Sequence, residues 1–461
     1  MNAHTKESGS LLMVALFLIL GIGALVAATA RMAGVETLET SEAVRGGRAL
    51  FLAESGLEKA KYLLRSQACT LAGLTLPVTG QLASGESFSV DMTALGGNQF
   101  QLDATGMTSS AQRKVRQIAT CTVQGIWRAG GLIGCQGVTM GGTVLTDALD
   151  SGTGQTNLNN GDVRTINPGA PIHLSGNVNL HGDAITTGAG SHVSVGGSSR
   201  IYGDAKVTGT IIGTSIDGAK VSGMMATTTA ADCDPLQVTT LVSGKMTSYL
   251  AGAYGGNPPV ATSYAPGNNT TTTVGTATNY HVSSYDLSGS HVVVNLLGPG
   301  GGAKRNFNIY IAGGGAFTIG NQSSLNLTHG ANLTVYMAGG GVFDIKGTLY
   351  IDPTSFLTLY TTGDVDLEAQ GYAGNLADHF KIYSSSSGTV GQGGGSSLAS
   401  VVYAPLAAVN MLGNSTLIGG MWGRVISKDQ GTPNFFYDED LKDIPDGSKG
   451  VIAVGAWQEL Y

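Results

Sequence analysis

IYIAGGGAFTI (Ile309–Ile319) and VYMAGGGVFDI (Val335–Ile345) are near copies of one another. An apolar residue followed by tyrosine opens both, at Ile309-Tyr310 and Val335-Tyr336, and recurs at Leu359-Tyr360, Ile382-Tyr383 and Val402-Tyr403, so the successive intervals are 26, 24, 23 and 20. A period in the low twenties, holding several short β-branched runs between glycines, is what one coil of a parallel β-helix requires, because stacked coils bury a continuous core that no coil owns alone. The same texture lies upstream in LIGCQGVTMGGTVLTD (Leu132–Asp147), IHLSGNVNLHGDAITT (Ile172–Thr187) and HVSVGGSSRIYGDAKVTGTIIG (His192–Gly213). Glycines are expected to supply positive φ at the corners. The predicted fold is mainly β, with a glycine-rich β-helix or solenoid over 130–440; an antiparallel β-sandwich of similar strand spacing is the alternative.

Composition agrees. Glycine supplies 71 of 461 residues and charged residues only 12%, half the ~25% usual in globular chains, which excludes an ordinary helical enzyme. A hydrophobic share of 42% with 12 prolines excludes collagen and wholesale disorder. The length calls for two or three structural units. Net charge is −7, and Gly130 to Ala303 holds five basic residues (Arg164, Arg200, Lys206, Lys220, Lys245), too few to neutralise a phosphate backbone, so no nucleic-acid partner is expected.

Within the solenoid, Asp232-Cys-Asp-Pro235 followed by LQVTTLVSGKMTSYLA reads as a capped helix with Pro235 in its first turn. Residues 251–279 have no periodicity and read as a loop over the surface, giving an insertion at about 232–280. Phe435-Phe436-Tyr437-Asp-Glu-Asp-Leu441 is expected to cap the last coil, with 441–461 as a C-terminal cap.

Ahead of the solenoid, 69–129 reads as a small β module. Phe88, Val90 and Met92, then Phe100, Leu102 and Ala104, then Val115 to Val123 alternate with period two, predicting three antiparallel strands. The chain has four cysteines, Cys69, Cys121, Cys135 and Cys233, which allow three connectivities; adjacency within modules favours 69–121 and 135–233. Such loops would contribute about 4 kcal/mol each in the chain-entropy model, and would place the protein in an oxidising compartment. A zinc site lacks any C-x-x-C spacing.

Residues 10–68 read as one long helix. Leu11 to Ala30 carries no charge and is long enough as a helix to reach about 30 Å and span a hydrocarbon core. It ends in small residues, Ala27-Ala28-Thr29-Ala30, as a secretory signal also does, and spacing alone leaves that reading open. The continuation weighs against it: Leu50, Ala53, Leu57, Ala60 and Leu64 keep the spacing of one helix face, with Gly46-Gly47 as a soft point. Gly21 and Gly23 suit a helix that sits first in lipid and then against other apolar helices, through positions such as Leu11, Val14, Leu16, Leu20 and Leu25. A plain membrane anchor is the competing reading.

A short polar leader (1–9) ending in Gly9, then SLLMVALFLILGIGAL, Arg31-Met-Ala-Gly34, Arg48-Ala-Leu and Ala53-Glu-Ser-Gly-Leu57 together resemble the N-terminal segment of PilX-type minor pilins of type IV pili, over the stretch from Met1 to about Arg65. The resemblance implies that a prepilin peptidase cuts between Gly9 and Ser10, and that the apolar helix moves from the inner membrane into a filament of other pilins. Major pilins place a glutamate at the fifth mature position; here that position is Val14, which resembles minor or tip subunits. The glycine-rich region also looks like domains that follow such segments in some long pilins.

Candidate chemistry is sparse. Asp364, Asp366 and Glu368 share one strand face about 7 Å apart in succession, a row that could contact an ion or a glycan or supply an acid and base pair, or be a solvated outer face. Only Lys381 lies near in sequence, and Arg424 or Lys428 could approach through stacking. His173 and His181 are about 27 Å apart if extended, so no metal bridges them. Gly313–Gly315 and Gly339–Gly341 lack the Lys-Ser/Thr of a phosphate loop and read as turns. The repeated tyrosines read as a stacking ladder or, alternatively, a ligand surface. The expectation is therefore a non-enzymatic minor pilin-like subunit with no cofactor and no metal, displaying a β-helix for adhesion or pilus assembly, with a surface or glycan receptor as partner. Its cysteine pairs would resist unfolding under load. A membrane-anchored polysaccharide enzyme and a type II secretion pseudopilin are the alternatives.

Overall fold

The computed structural model describes residues 8–460 apart from 67–68, 72–73, 83–84, 125, 157, 257, 369–370, 374–375, 394–396, 415, 429–430 and 444–448. Most of the expected leader, residues 1–7, therefore lies outside the described residues. The chain forms two compact units, Met1–Val123 with Ser448–Tyr461, and Gln124–Gly447. The second is thus inserted into the first.

The first unit begins with helix α1, Ser8–Ser66, which is 59 residues and about 90 Å long and runs unbroken through Gly46-Gly47. Its stripe Ala53, Leu57, Ala60 and Leu64 is buried, as its spacing predicts, against Val90, Met92, Phe100, Leu102, Ala104, Val115 and Ala119 of a sheet. Leu50 lies at the rim of this core. The sheet has five strands where three were expected, in the order Val78–Gln81, Ser87–Gly96, Gln99–Met107, Gln112–Gln124, Lys449–Leu460. Helix and sheet approach closely because Gly106 has no side chain: a Cβ there would lie 2.0 Å from the Ala49 carbonyl oxygen. Cys69 and Cys121 are disulfide-bonded, Cα to Cα 5.5 Å, joining the chain just after α1 to the fourth strand.

The last strand corrects the expected C-terminal cap. Residues 449–460 belong to the small sheet, not to the solenoid: Gln117 Nε2 donates to the Gly455 carbonyl (2.9 Å), and Arg113 pairs with Glu459 (3.1 Å). The pairing partners are separated by the entire inserted unit, so no local pattern announces it.

The second unit is a parallel β-helix with three faces. One face stacks Thr278–Leu287, Arg305–Ile311, Ala331–Met337, Phe356–Thr361, Phe380–Ser384 and Ser397–Met411 in parallel, in register. Inward residues such as Phe307, Ile309, Leu333, Val335, Leu357, Leu359, Phe380 and Ile382 fill the interior, and Tyr285, Phe317 and Phe343 stack inside it at 5.0 and 4.7 Å. Both ends of the inserted segment lie in the middle of the stack. Ser397–Met411 pairs with Thr416–Lys428, which pairs with Leu132–Met140, and the stack then continues through Val163–Thr165, Ala184–Thr186 and Ala205–Lys206 to Lys220–Val221. The strand Asn434–Asp438, expected near an end cap, is wedged between Thr416–Lys428 and Thr143–Asp150.

Since the ends of the stack come from the middle of the sequence, the chain must travel back along it. Residues 222–233 do so as a strap over successive corners: Met224 N donates to the Val207 carbonyl, and Thr227 N to that of Thr187. Cys233 is then bonded to Cys135, Cα to Cα 5.5 Å. Helix α2, Val238–Tyr254, follows. Pro235 precedes its first turn, contrary to expectation; the Asp234 carboxylate instead accepts the Val238 N–H at 2.9 Å, and Gly255, with φ of 61°, ends the helix in the left-handed region. The expected loop 251–279 is also corrected: Thr262–Tyr264, Thr271–Val274 and the start of Thr278–Leu287 are strands of the first coils beyond the strap.

Candidate functional site

The apolar part of α1 finds no partner among the described residues. A window of it reaches a mean hydropathy of 2.5 with none of its residues buried, long and apolar enough to cross a membrane. Val14, Leu16, Leu20 and Leu25 are 57–68% exposed, and a Cβ at Gly21 or Gly23 would meet nothing within 4 Å. The backbone is helical from Ser8, so Gly9, Ser10 and Leu11 lie on the helix; their side chains lie outside those described.

The repeated tyrosines form one row on the outside of the β-helix. Tyr310, Tyr336, Tyr360, Tyr383 and Tyr403 occupy one register position, continued by His281 before them and Trp422 after. Tyr336, Tyr360 and Tyr383 stack at 5.7 and 5.3 Å. The row is covered by α2, whose Val238, Val242 and Met246 are buried and whose Tyr249 stacks on both Tyr310 (6.2 Å) and Tyr336 (4.6 Å). Burial raises the Tyr249 phenol far above its ordinary pKa and that of Tyr360 to about 12. The strap is fastened beneath α2, where Tyr403 Oη donates to Asp234 (2.7 Å) and Trp422 Nε1 to the Cys233 carbonyl (2.8 Å).

The acidic row is only partly assembled. Asp366 stacks in register on Asp344 of the preceding coil, and Lys346 reaches Asp344 at 3.4 Å. Burial, then Glu368 and Asp344, raise the Asp366 pKa. Asp364 is engaged elsewhere, accepting from Ser386 Oγ (2.8 Å) and Thr389 N (3.0 Å), while Glu368 is exposed. Arg424 and Lys428 do not approach; they donate to the carbonyls of Leu406 and Gly141. Among the described residues no group of three or more His, Cys, Asp or Glu is arranged to hold a metal. His173 lies on an outward strand position, and His181 stacks on Tyr202 at 4.2 Å.

A second ladder escaped the sequence reading. Gly161-Asp162, Gly182-Asp183 and Gly203-Asp204 recur at a constant interval of 21, and each Asp carboxylate binds a backbone N–H of the next coil: Asp162 that of Asp183 (2.7 Å), Asp183 that of Asp204 (2.7 Å), Asp204 that of Ala219 (2.8 Å). Lys206 bridges Asp183 and Asp204 at 2.8 and 2.9 Å. Burial of Asp162, with the neighbouring Asp183 charge adding to it, raises its pKa to about 6. The signal was the Gly-Asp pair at fixed interval.

Residues 309–444 match a family model described as Domain of unknown function (DUF7305), which covers the coils from the first tyrosine repeat to just beyond the mid-stack joint. No curated protein matches the chain. Among solved structures, the competence-associated pilin ComZ from Thermus thermophilus is 13% identical over 90% of this chain and 97% of its own, with a TM-score of 0.32, too low to carry an argument.

Proposed function

We propose that the chain is a minor pilin-like subunit of a type IV pilus or related filament. The observation that carries this reading is α1 itself: one continuous helix whose far part packs on a sheet while its apolar near part, including Val14, Leu16, Leu20 and Leu25, is bare. A helix whose backbone bonds are satisfied internally can exchange lipid for sister helices without unfolding. In this reading a prepilin peptidase cuts between Gly9 and Ser10, the subunit waits in the inner membrane, and assembly then carries the β-helix to the outside. Val14, where major pilins hold a glutamate, favours a minor or tip position. The β-helix is a display body for adhesion or pilus assembly, and its work is mechanical rather than catalytic. Outward Asn pairs such as Asn308–Asn279 (2.9 Å) and Asn326–Asn295 (2.8 Å) give it a surface suited to a polar or glycan receptor.

N-terminal sequencing of the protein recovered from sheared filaments of cells with the leader peptidase tests the reading. A start at Ser10 supports it. An intact Met1 or a start near Arg31 overturns it.

A further inference from the structure

We propose that the two disulfides act in series as a covalent load line, which keeps residues 70–120 of the small sheet and the β-helix coils from Thr143 to Val221 from being drawn out under tension. The inference rests on the filament reading only for the source of the tension: a chain held by α1 and gripped on its β-helix is pulled between those points.

The line follows from connectivity. α1 ends at Ser66, and Cys69 passes the load directly to Cys121, skipping a sequence separation of 52. A short way on, Cys135 passes it to Cys233, skipping a further 98. Just beyond, α2 begins at Val238 and leads into the coils from Thr262 to Met411. Two closed loops therefore hang beside the line. One, 70–120, contains the first three strands of the small sheet and most of the fourth; the other, 136–232, contains the coils from Thr143 to Val221. The strand Lys449–Leu460 is held to the sheet by non-covalent contacts, such as Gln117–Gly455 and Arg113–Glu459, and is no part of the covalent line. Cys121 lies in the strand that ends the first unit, and Cys135 in the mid-stack coil to which the strap is bonded. The two regions that would otherwise lengthen the line as they unfold are thus pinned shut.

The test is single-molecule pulling on the full chain in detergent micelles, with handles at the N-terminus and at a peptide tag inserted after Gly301, in an exposed turn. The oxidised wild type is expected to release neither loop. Cys69→Ser/Cys121→Ser should add about 170–190 Å of extension and Cys135→Ser/Cys233→Ser about 320–350 Å, from ~3.3–3.6 Å per residue. Dithiothreitol-reduced wild type should add both lengths, which guards against a variant that folds poorly. Release of either length from the oxidised wild type, or thiol mapping that finds either pair unformed, overturns the load line. The filament reading stands or falls separately on the start at Ser10, since pulling on micellar protein does not depend on it.

Discussion

A Cβ at Gly315 would fall 1.6 Å from the Ser283 carbonyl oxygen, and one at Gly341 or Gly363 would fall 1.9 Å from the carbonyl of the glycine stacked beneath it. These glycines have ordinary φ; they are glycines because the next coil passes where a side chain would be. The triplets read as turns from sequence; Gly313, Gly314, Gly339 and Gly340 do take positive φ, whereas the third member of each triplet is glycine because of a neighbour one coil away. Asp162 shows the same limit. Its fixed interval was visible, but its desolvation depends on the coils stacked around it. Because its folded pKa, about 6, stands above the ordinary carboxyl value of 3.8, the native state binds the proton more tightly than the unfolded chain. The resulting stabilisation is complete below about pH 4 and is lost as pH rises through about 6, a difference on the order of 2–3 kcal/mol. Asp162→Asn keeps an acceptor for the Asp183 N–H and cannot ionise. Unfolding followed across this window should show the variant gaining on the wild type from about pH 4 to 6.5; equal pH slopes for the two proteins would show that Asp162 does not titrate this way.

At the scale of the element, α2 fits the β-helix because two spacings nearly coincide. A helix turn rises about 5.4 Å and a coil about 4.7–4.9 Å, so Val238, Val242, Met246 and Tyr249 each meet about one new coil. Tyr249 adds its ring to the outer ladder between Tyr310 and Tyr336, and thereby sets the register of the strap. The tyrosine period was legible and led to the coil. What covers the tyrosines was not, since Tyr249 lies far upstream of Tyr310, with the first coils between them, and its own helix shows only an amphipathic pattern. Tyr249→Ala removes half-buried stacking area and should loosen α2 by about 1–3 kcal/mol. Hydrogen exchange is the direct measurement: amides of 238–254 should lose about tenfold or more protection while those of Ala331–Met337 keep theirs. Unchanged protection of α2 would mean that the aliphatic contacts alone hold it.

For the whole molecule, the chain order conceals a simple plan: a helix-and-sheet unit interrupted by a β-helix that enters and leaves at its own middle coils. The alternation of Phe100, Leu102 and Ala104 revealed the sheet, and the helix-face spacing revealed what packs on it. The return of Lys449–Leu460 was invisible because pairing between strands as far apart in the chain as those of Gln117 and Gly455 leaves no local mark. The geometry of that return makes the plan testable. The Arg113 side chain reaches Glu459 and the Gln117 side chain reaches Gly455, so the strands run antiparallel, and continuing along them brings the end of Gln112–Gln124 to the start of Lys449–Leu460. Two strands so aligned can be joined by a two-residue turn. A shortened chain in which Asn-Gly replaces residues 124–448 is therefore expected to keep α1, all five strands and the Cys69–Cys121 bridge, because the core around Leu57, Leu64, Val90 and Leu102 is built, among the described residues, from the first unit. Circular dichroism in detergent should show both helix and sheet with a cooperative melt, and mass mapping should find the bridge closed. A chain that keeps only helical signal and free thiols would mean that the β-helix is required to fold its host.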